Sequence, residues 1–196
     1  MSPETHLFAS WIVAAKVTDN PRDLKLITLA GILPDADGLG LIPDFFNEMT
    51  GRSLSFYYME YHHWYLHGIF GALIVTSALT YFASRRWRVA LFAFLVFHLH
   101  LLCDLLGSRG PSPSDIWPIY YLGPFSRRWL IEWHGQWRLD GWQNQAITVA
   151  LFIWGLWIAA GRGDSVIGIF NRRVDKKICG VLQKWRVALA TPRDKS

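Results

Sequence analysis

The chain has 196 residues, of which 52% are hydrophobic and only 18% are charged, with 11 tryptophans and a formal net charge of +5. The length suits one domain, and the charged fraction is below the roughly 25% that is typical of soluble domains. The two cysteines, Cys103 and Cys179, lie in different surroundings, which argues against a disulfide framework and against a cysteine-rich zinc site.

The N-terminal part predicts two short helices and a loop. The first helix covers residues 3–16 and begins with proline and glutamate, which helix starts favour. No basic stretch of a secretory signal precedes its apolar residues, so we expect no cleaved leader. The second helix covers residues 21–35 and ends near Pro34. Residues 36–60 contain Gly, Pro and Asn, which predict a loop with one short helix.

Three long runs that are nearly free of charge predict long apolar helices at residues 63–84, 87–107 and 142–161. A membrane-spanning helix needs about 20 mostly apolar residues, and the first and third runs qualify with their flanks. The second run qualifies if its polar side chains lie toward one end. A soluble helical bundle with a large core is the alternative.

The remaining segments are irregular or basic. Residues 107–141 combine Gly, Pro and Ser with many aromatic side chains, which predicts that they pack down as an irregular lid or as an interfacial segment. In residues 171–190 one helix face is apolar and the other is rich in Lys and Arg, as in an amphipathic helix on an anionic membrane surface or in a surface helix packed on its own domain. No nucleic-acid motif accompanies these charges, so we expect no nucleic-acid partner.

We therefore predict an all-α, membrane-embedded helical bundle with about three long apolar helices, two shorter N-terminal helices and a basic amphipathic C-terminal helix. Residues 1–162 would form the membrane domain and residues 163–196 a basic cytoplasmic tail. Basic residues concentrate in the connections at 16–25 and 85–88 and after Arg162. Alternating helices bring these connections to one end, which the positive-inside rule makes cytoplasmic, although several arginines after residue 108 lie on the outer side.

Histidine and aspartate side chains collect at the opposite end by the same alternation. The set is His6, Asp35, Asp37, His62, His67, His100 and Asp104. Histidine nitrogens and carboxylate oxygens together suit Zn²⁺, Mn²⁺ or Fe²⁺, and residues four apart, such as His100 and Asp104, project from one helix face. We predict one or two divalent ions here, with Zn²⁺ favoured. His63 is the alternative to His62, and His98 is expected to point away from His100.

The ordered motifs "LPDADG", "HHWYLHG", "HLLCDLL" and "WP", after an N-terminal histidine, resemble the YdjM-like family of bacterial inner-membrane proteins over about residues 1–160. The resemblance implies an inner-membrane metal-dependent hydrolase with the seven-residue ligand set above, and it favours His62 over His63. A distant similarity to zinc-dependent phospholipase C points to phosphoesters by analogy. The chain departs from the family pattern at Gly38, Leu66 and Gly68, which indicates fewer ions, a shifted specificity or lost activity.

Our first functional hypothesis is a membrane-bound metal-dependent hydrolase that cleaves a phosphoester or lipid-linked substrate with metal-activated water. Asp37 or Glu60 would be the base, and Arg127 and Arg128 would bind an anionic headgroup or anchor the interface. The sequence indicates no oligomeric state.

Two alternatives stay open at this point. One is a non-catalytic metal-binding membrane protein. The other is a b-type haem or electron-transfer protein with His67 and His98 as axial ligands, although haem would not explain the three aspartates.

Overall fold

The computed structural model describes residues 1–51, 57, 62 and 64–190. Within them, seven α-helices confirm the all-α class. They are α1 (Pro3–Val17), α2 (Pro21–Ala30), α3 (Leu41–Met49), α4 (Ile69–Tyr81), α5 (Arg86–Gly107), α6 (Trp142–Arg162) and α7 (Arg172–Ala190). Short 3-10 helices cover Pro34–Gly40 and Val166–Ile169. Strands β1 (Ile119–Tyr120) and β2 (Leu130–Ile131) form one antiparallel pair, with Ile119 opposite Ile131.

The core forms where α1, α2 and α5 pack together, with α4 against α5 and α6 against α1. Its largest fully buried apolar side chains include Trp11, Ile27 and Phe97, one from each of the three central helices. Within a bilayer, close van der Waals packing of such side chains stabilises the contacts between helices. The outward faces of α5 and α6 are also apolar, and Leu95 and Ile153 are exposed on them. An apolar core with an apolar exterior is typical of a bundle that is surrounded by lipid.

Two helices of the described chain, α5 and α6, are long and apolar enough to cross a membrane. A third span is counted if α2 and the helical stretch Pro34–Met49, which bend by 55° at their break, act as one broken span. The predicted long helix at 63–84 is shorter than expected, because α4 has 13 residues and is about 20 Å long. The prediction of a membrane-embedded bundle is confirmed, with α4 as a short apolar helix.

Two helix boundaries differ from the prediction, and both differences position the site. Helix α2 ends at Ala30 and not at residue 35, and Pro34 then begins a 3-10 helix. Helix α4 begins at Ile69, whose amide nitrogen donates to the carbonyl oxygen of Tyr121 at 2.8 Å. A Cβ atom at Gly68 would lie 2.6 Å from that same oxygen, so glycine permits this close approach. Residues 64–68, which include His67, are consequently not helical.

The segment between α5 and α6 is held against the end of α5 by buried amide side chains. Asn144 donates to the carbonyl oxygen of Gly107 at 2.8 Å and accepts from the indole of Trp137 at 2.7 Å. Gln136 donates to the carbonyl oxygens of Asp104 at 3.3 Å and Trp117 at 2.9 Å. Because buried polar groups need such partners, these bonds fix the segment in place. It packs as an irregular cover, as its aromatic content predicts.

Helix α7 has features of both arrangements predicted for the tail, a helix packed on its own domain and an amphipathic helix on the membrane surface. Asp175 and Cys179 are buried toward the bundle, and the Asp175 carboxylate accepts from the Ser165 amide nitrogen at 3.0 Å. Val181 and Trp185 remain exposed on another side of the helix. The helix thus packs on the bundle and still presents apolar side chains outward. Residues 191–196 lie outside the described residues, and the boundary at residue 162 stays a prediction.

The buried carboxylate of Asp23 joins α2 to the start of α5. It accepts from the amide nitrogens of Ser84 at 2.7 Å and Arg85 at 3.0 Å, where a negative charge also complements the helix N-terminus. We expect Asp23→Ala to lower the free energy of unfolding by about 2–4 kcal/mol, because two buried N–H groups lose their acceptor. Thermal unfolding in detergent would measure this. The exposed Glu132→Ala should change stability by less than about 0.5 kcal/mol, and equal effects would contradict the assignment.

Candidate metal centre

Four side chains from three segments converge at the end of the bundle where α5 finishes. We call Asp35, His67, His100 and Asp104 the inner group, because one ligand atom of each lies within 4.8 Å of the others. The Nε2 atoms of His67 and His100 are 3.2 Å apart. Oδ2 of Asp104 lies 2.9 Å from His100 Nε2 and 3.6 Å from His67 Nε2. Oδ1 of Asp35 lies 3.5 Å from His100 Nε2 and 3.8 Å from His67 Nε2.

In both histidines of the inner group, a hydrogen bond on Nδ1 orients the ring so that Nε2 faces the other members of the group. His100 Nδ1 donates to the carbonyl oxygen of Gly31 at 2.8 Å, and His67 Nδ1 donates to Asp37 Oδ2 at 2.9 Å. In a neutral ring, Nε2 then carries the lone pair and points into the inner group. This is the usual arrangement of a metal-ligating histidine, whose outer N–H is held by a carboxylate or a carbonyl. Because α2 ends at Ala30, the carbonyl group of Gly31 lies against α5 and can accept this hydrogen bond from His100.

The spacing of the inner group fits a small divalent ion. Ligand atoms at about 2.0–2.1 Å from a tetrahedral ion lie roughly 3.3 Å from one another. The distances above, from 2.9 to 3.8 Å, bracket that value. In addition, Oδ2 of Asp35 and Oδ2 of Asp104 are buried and make no hydrogen bond among the described residues. Buried oxygens of this kind call for a partner, and the His/Asp group could therefore hold a metal ion.

Asp104 is aimed at the inner group by contacts on its other oxygen. Its Oδ1 lies 3.1 Å from His6 Nε2 and accepts from Ser108 Oγ at 3.0 Å. The amino group of Met1 also donates to this oxygen. The His6 ring stacks on His100 with the centroids 3.8 Å apart. His6 thus lies beside the inner group with Nε2 directed at Asp104 Oδ1, and its assignment as a ligand stays a prediction.

A second group, the outer group, consists of Asp37, His62 and His67. Asp37 Oδ1 lies 2.9 Å from His62 Nδ1, and its Oδ2 accepts from His67 Nδ1 and from the amide nitrogen of Leu66 at 3.3 Å. The two groups share the His67 ring, one through each nitrogen. The structure thus separates Asp35 from Asp37, which the sequence placed together near one or two ions. A second ion in the outer group would need His67 to give up its Nδ1 proton.

Access to the inner group lies on the side of Asp35. The Asp35 side chain is 28% exposed, whereas that of Asp104 is 4% exposed and those of both histidines are fully buried. A ligand from outside would reach the group at this carboxylate first.

Burial disfavours the charged form of His67, but the nearby carboxylates of Asp104 and Asp37 outweigh it and raise the pKa of His67 to about 9. In the metal-free protein this ring is consequently protonated at neutral pH. The proton and a divalent ion therefore compete for Nε2 of His67, the nitrogen that faces the inner group.

Three other candidates, Arg127, Arg128 and His98, do not belong to either His/Asp group. The guanidinium of Arg127 lies 4.5 Å from the ring centroid of Trp64, and the side chain of Arg128 is exposed. His98 Nδ1 bonds the carbonyl of Phe94 at 2.8 Å and its Nε2 lies 3.1 Å from the Tyr121 hydroxyl, which leaves no ring nitrogen for a haem iron. Glu60 and His63 lie outside the described residues.

Two groups that orient the side chains of the inner group, the Ser108 hydroxyl and the Gly31 carbonyl, were not predicted from the sequence. Ser108 follows Asp104 by four residues, so helical spacing could have indicated it. The Gly31 carbonyl is a backbone acceptor, which every residue carries, so a pattern of side chains cannot indicate it.

The chain belongs to the YdjM inner membrane protein family, whose model matches residues 1–170. The comparison with curated proteins found no match, and neither did the comparison with solved structures. The resemblance drawn from the motifs is therefore confirmed, and with it the membrane location. The family description names no reaction.

We expect the affinity for a divalent ion to rise with pH by up to about tenfold per unit between pH 6 and 8, because the proton on His67 must leave before an ion binds. Competition with a chelator of known pH dependence would measure this. Since Asp37 helps to raise the pKa of His67, Asp37→Asn should flatten the dependence. Constant affinity in the unaltered protein, or an equally steep rise in the variant, would contradict the assignment.

Proposed function

We propose that this protein is a membrane-bound metal-dependent hydrolase that cleaves a phosphoester or lipid-linked substrate through metal-activated water. The observation that carries the proposal is the convergence of two histidine nitrogens and two carboxylate oxygens in the inner group, inside an otherwise apolar bundle. A divalent ion there would lower the pKa of a bound water toward neutrality and polarise the bond to be broken. Zn²⁺ suits this ligand set best, and Mn²⁺ or Fe²⁺ also fit it.

Each residue then has a distinct role. Asp35, His67, His100 and Asp104 hold the ion. Asp37 orients His67, because both of its oxygens already face histidine or amide nitrogens. We propose this positioning role in place of general base catalysis. Losing such an outer partner typically lowers metal affinity by about 10–100-fold.

The surroundings of Asp35 favour an apolar or lipid-linked substrate. The 3-10 helix that carries Asp35 continues into α3, where Ile42, Phe45 and Phe46 are exposed. An acyl or prenyl chain could pack on these side chains while its phosphoryl group approaches the inner group. Arg127 and Arg128 are exposed cations that we assign to the anionic headgroup.

A second candidate is a non-catalytic metal-binding protein. The inner group offers four protein ligands, and four ligands complete a tetrahedral ion, as in structural zinc sites. Hydrolysis requires an open position, which arises if Asp35 swings away or if the ion accepts more than four ligands. The partial exposure of Asp35 supports the catalytic reading, because this ligand has room to move.

Detergent-purified protein should contain one or two equivalents of Zn, Mn or Fe, and the His100→Ala/Asp104→Ala variant should lose it. The matched control is His98→Ala, which removes a histidine from the same helix without touching the inner group. Elemental analysis of the three proteins is the measurement. If the unaltered protein contains no metal, even after reconstitution with each ion, the proposal is wrong.

Metal-loaded protein is then tested against phosphoesters, lipids first. Turnover that disappears in His100→Ala/Asp104→Ala and persists in His98→Ala supports the hydrolase. A full complement of metal without turnover of any phosphoester would favour the non-catalytic candidate.

We also propose that the inner group faces outward and that the tail from residue 163 is cytoplasmic. The concentration of basic residues at the opposite end supports this orientation. A reporter fused after Ser196 should show cytoplasmic activity, and a matched fusion in the connection at residues 111–114 should show the periplasmic signal. The reverse pattern would overturn the orientation and leave the metal site untouched.

A further inference from the structure

A cavity of about 480 Å³ opens at the end of the bundle opposite the inner group. It is lined where α1 ends, where α5 begins and where α6 ends, and α7 contributes Arg186. Cavities of about 300–1,000 Å³ accommodate small ligands. Neither the proposed hydrolase nor the family assignment uses this cavity.

The lining is strongly basic. Its cations are Lys16, Arg85, Arg88, Arg162 and Arg186, and its single carboxylate is Asp19. Arg162 is already neutralised, since it bonds Asp19 at 2.9 Å and Asp164 at 2.9 Å. None of the other four cations has a carboxylate within ion-pair distance in the described ranges. Four uncompensated cations around one cavity attract a multiply charged anion.

Aromatic rings lie close to two of these cations, and one of the rings lines the cavity. The guanidinium of Arg186 lies 5.2 Å from the ring centroid of Trp157, and it rests against Gly161, where a Cβ atom would meet it at 2.4 Å. Arg88 lies 5.3 Å from the ring of Trp87. Such stacking orients a guanidinium while its N–H groups stay available to an anion.

The position of the cavity indicates a lipid. Arg85 precedes the first residue of the span α5, and Arg162 is the last residue of the span α6, so the cavity lies where both spans leave the hydrocarbon. Trp157, which lines the cavity, is 64% exposed, and tryptophan favours that depth of a bilayer. Basic pockets between membrane helices at this level suit phosphate-bearing headgroups.

We propose that this cavity binds the phosphate-bearing headgroup of an anionic phospholipid, with Lys16, Arg85, Arg88 and Arg186 as the phosphate-binding side chains. Trp157 packs along the glycerol backbone and upper acyl chain. This lipid site does not depend on the metal centre, and lipid binding there does not depend on an enzymatic activity of the protein.

The test is native mass spectrometry of the full chain, released from mixed micelles that contain phosphatidylglycerol and phosphatidylcholine. The unaltered protein should retain phosphatidylglycerol selectively, and Arg85→Gln/Arg88→Gln should weaken this retention by about tenfold or more. The control, Lys177→Gln/Lys184→Gln, removes two exposed charges from the same basic end outside the cavity. It should retain the lipid normally, and all three proteins should show the same thermal unfolding.

Two outcomes would overturn the proposal. Equal loss of lipid in both double variants would mean general attraction by the basic surface. Displacement of the lipid by millimolar inorganic phosphate would mean a soluble anion in place of a lipid. Selective loss in Arg85→Gln/Arg88→Gln, unaffected by phosphate, is the expected result.

Discussion

The carboxylate of Asp104 is buried near the end of an apolar helix, and the surrounding structure is arranged to offset its charge. His6 and Ser108 take one oxygen, so the other is left to face His67 and His100. His100 reaches it from one turn earlier on α5. His67 reaches it from the non-helical residues just before α4, which begins at Ile69. The positions of these helix ends thus allow several side chains to surround one buried charge.

Much of this arrangement could be predicted from the sequence. Alternating helices place His6, the residues after α2, His67 and Asp104 at one end of the bundle, and the structure brings them together there. The four-residue spacing of His100 and Asp104 predicts their shared face, which the 2.9 Å contact shows. These inferences succeeded because helical periodicity and chain reversal are properties of the sequence pattern itself.

Other features could not be predicted in this way. The sequence predicted a helix as far as residue 35 and a loop with one short helix after it, but residues 34–40 form a 3-10 helix, in which residues two apart point in different directions. Asp35 therefore joins the inner group and Asp37 the outer group. The orientation of His100 depends on a backbone carbonyl at Gly31, and the start of α4 depends on a hydrogen bond from Ile69 to Tyr121, 52 residues along the chain. Contacts of this kind come from tertiary packing, which short sequence patterns do not encode.

The order of the inner group along the chain has a consequence for biogenesis. Asp35 and His67 leave the ribosome first, and His100 and Asp104 follow only with the last turns of α5. A nascent chain that ends before residue 100 carries two of the four proposed ligands and lacks the last two turns of α5, which present the other two. The complete set exists only after α5 has entered the bilayer and packed against α2 and α4. Metal capture would therefore come after membrane insertion, and metal content would report how many molecules have finished assembling.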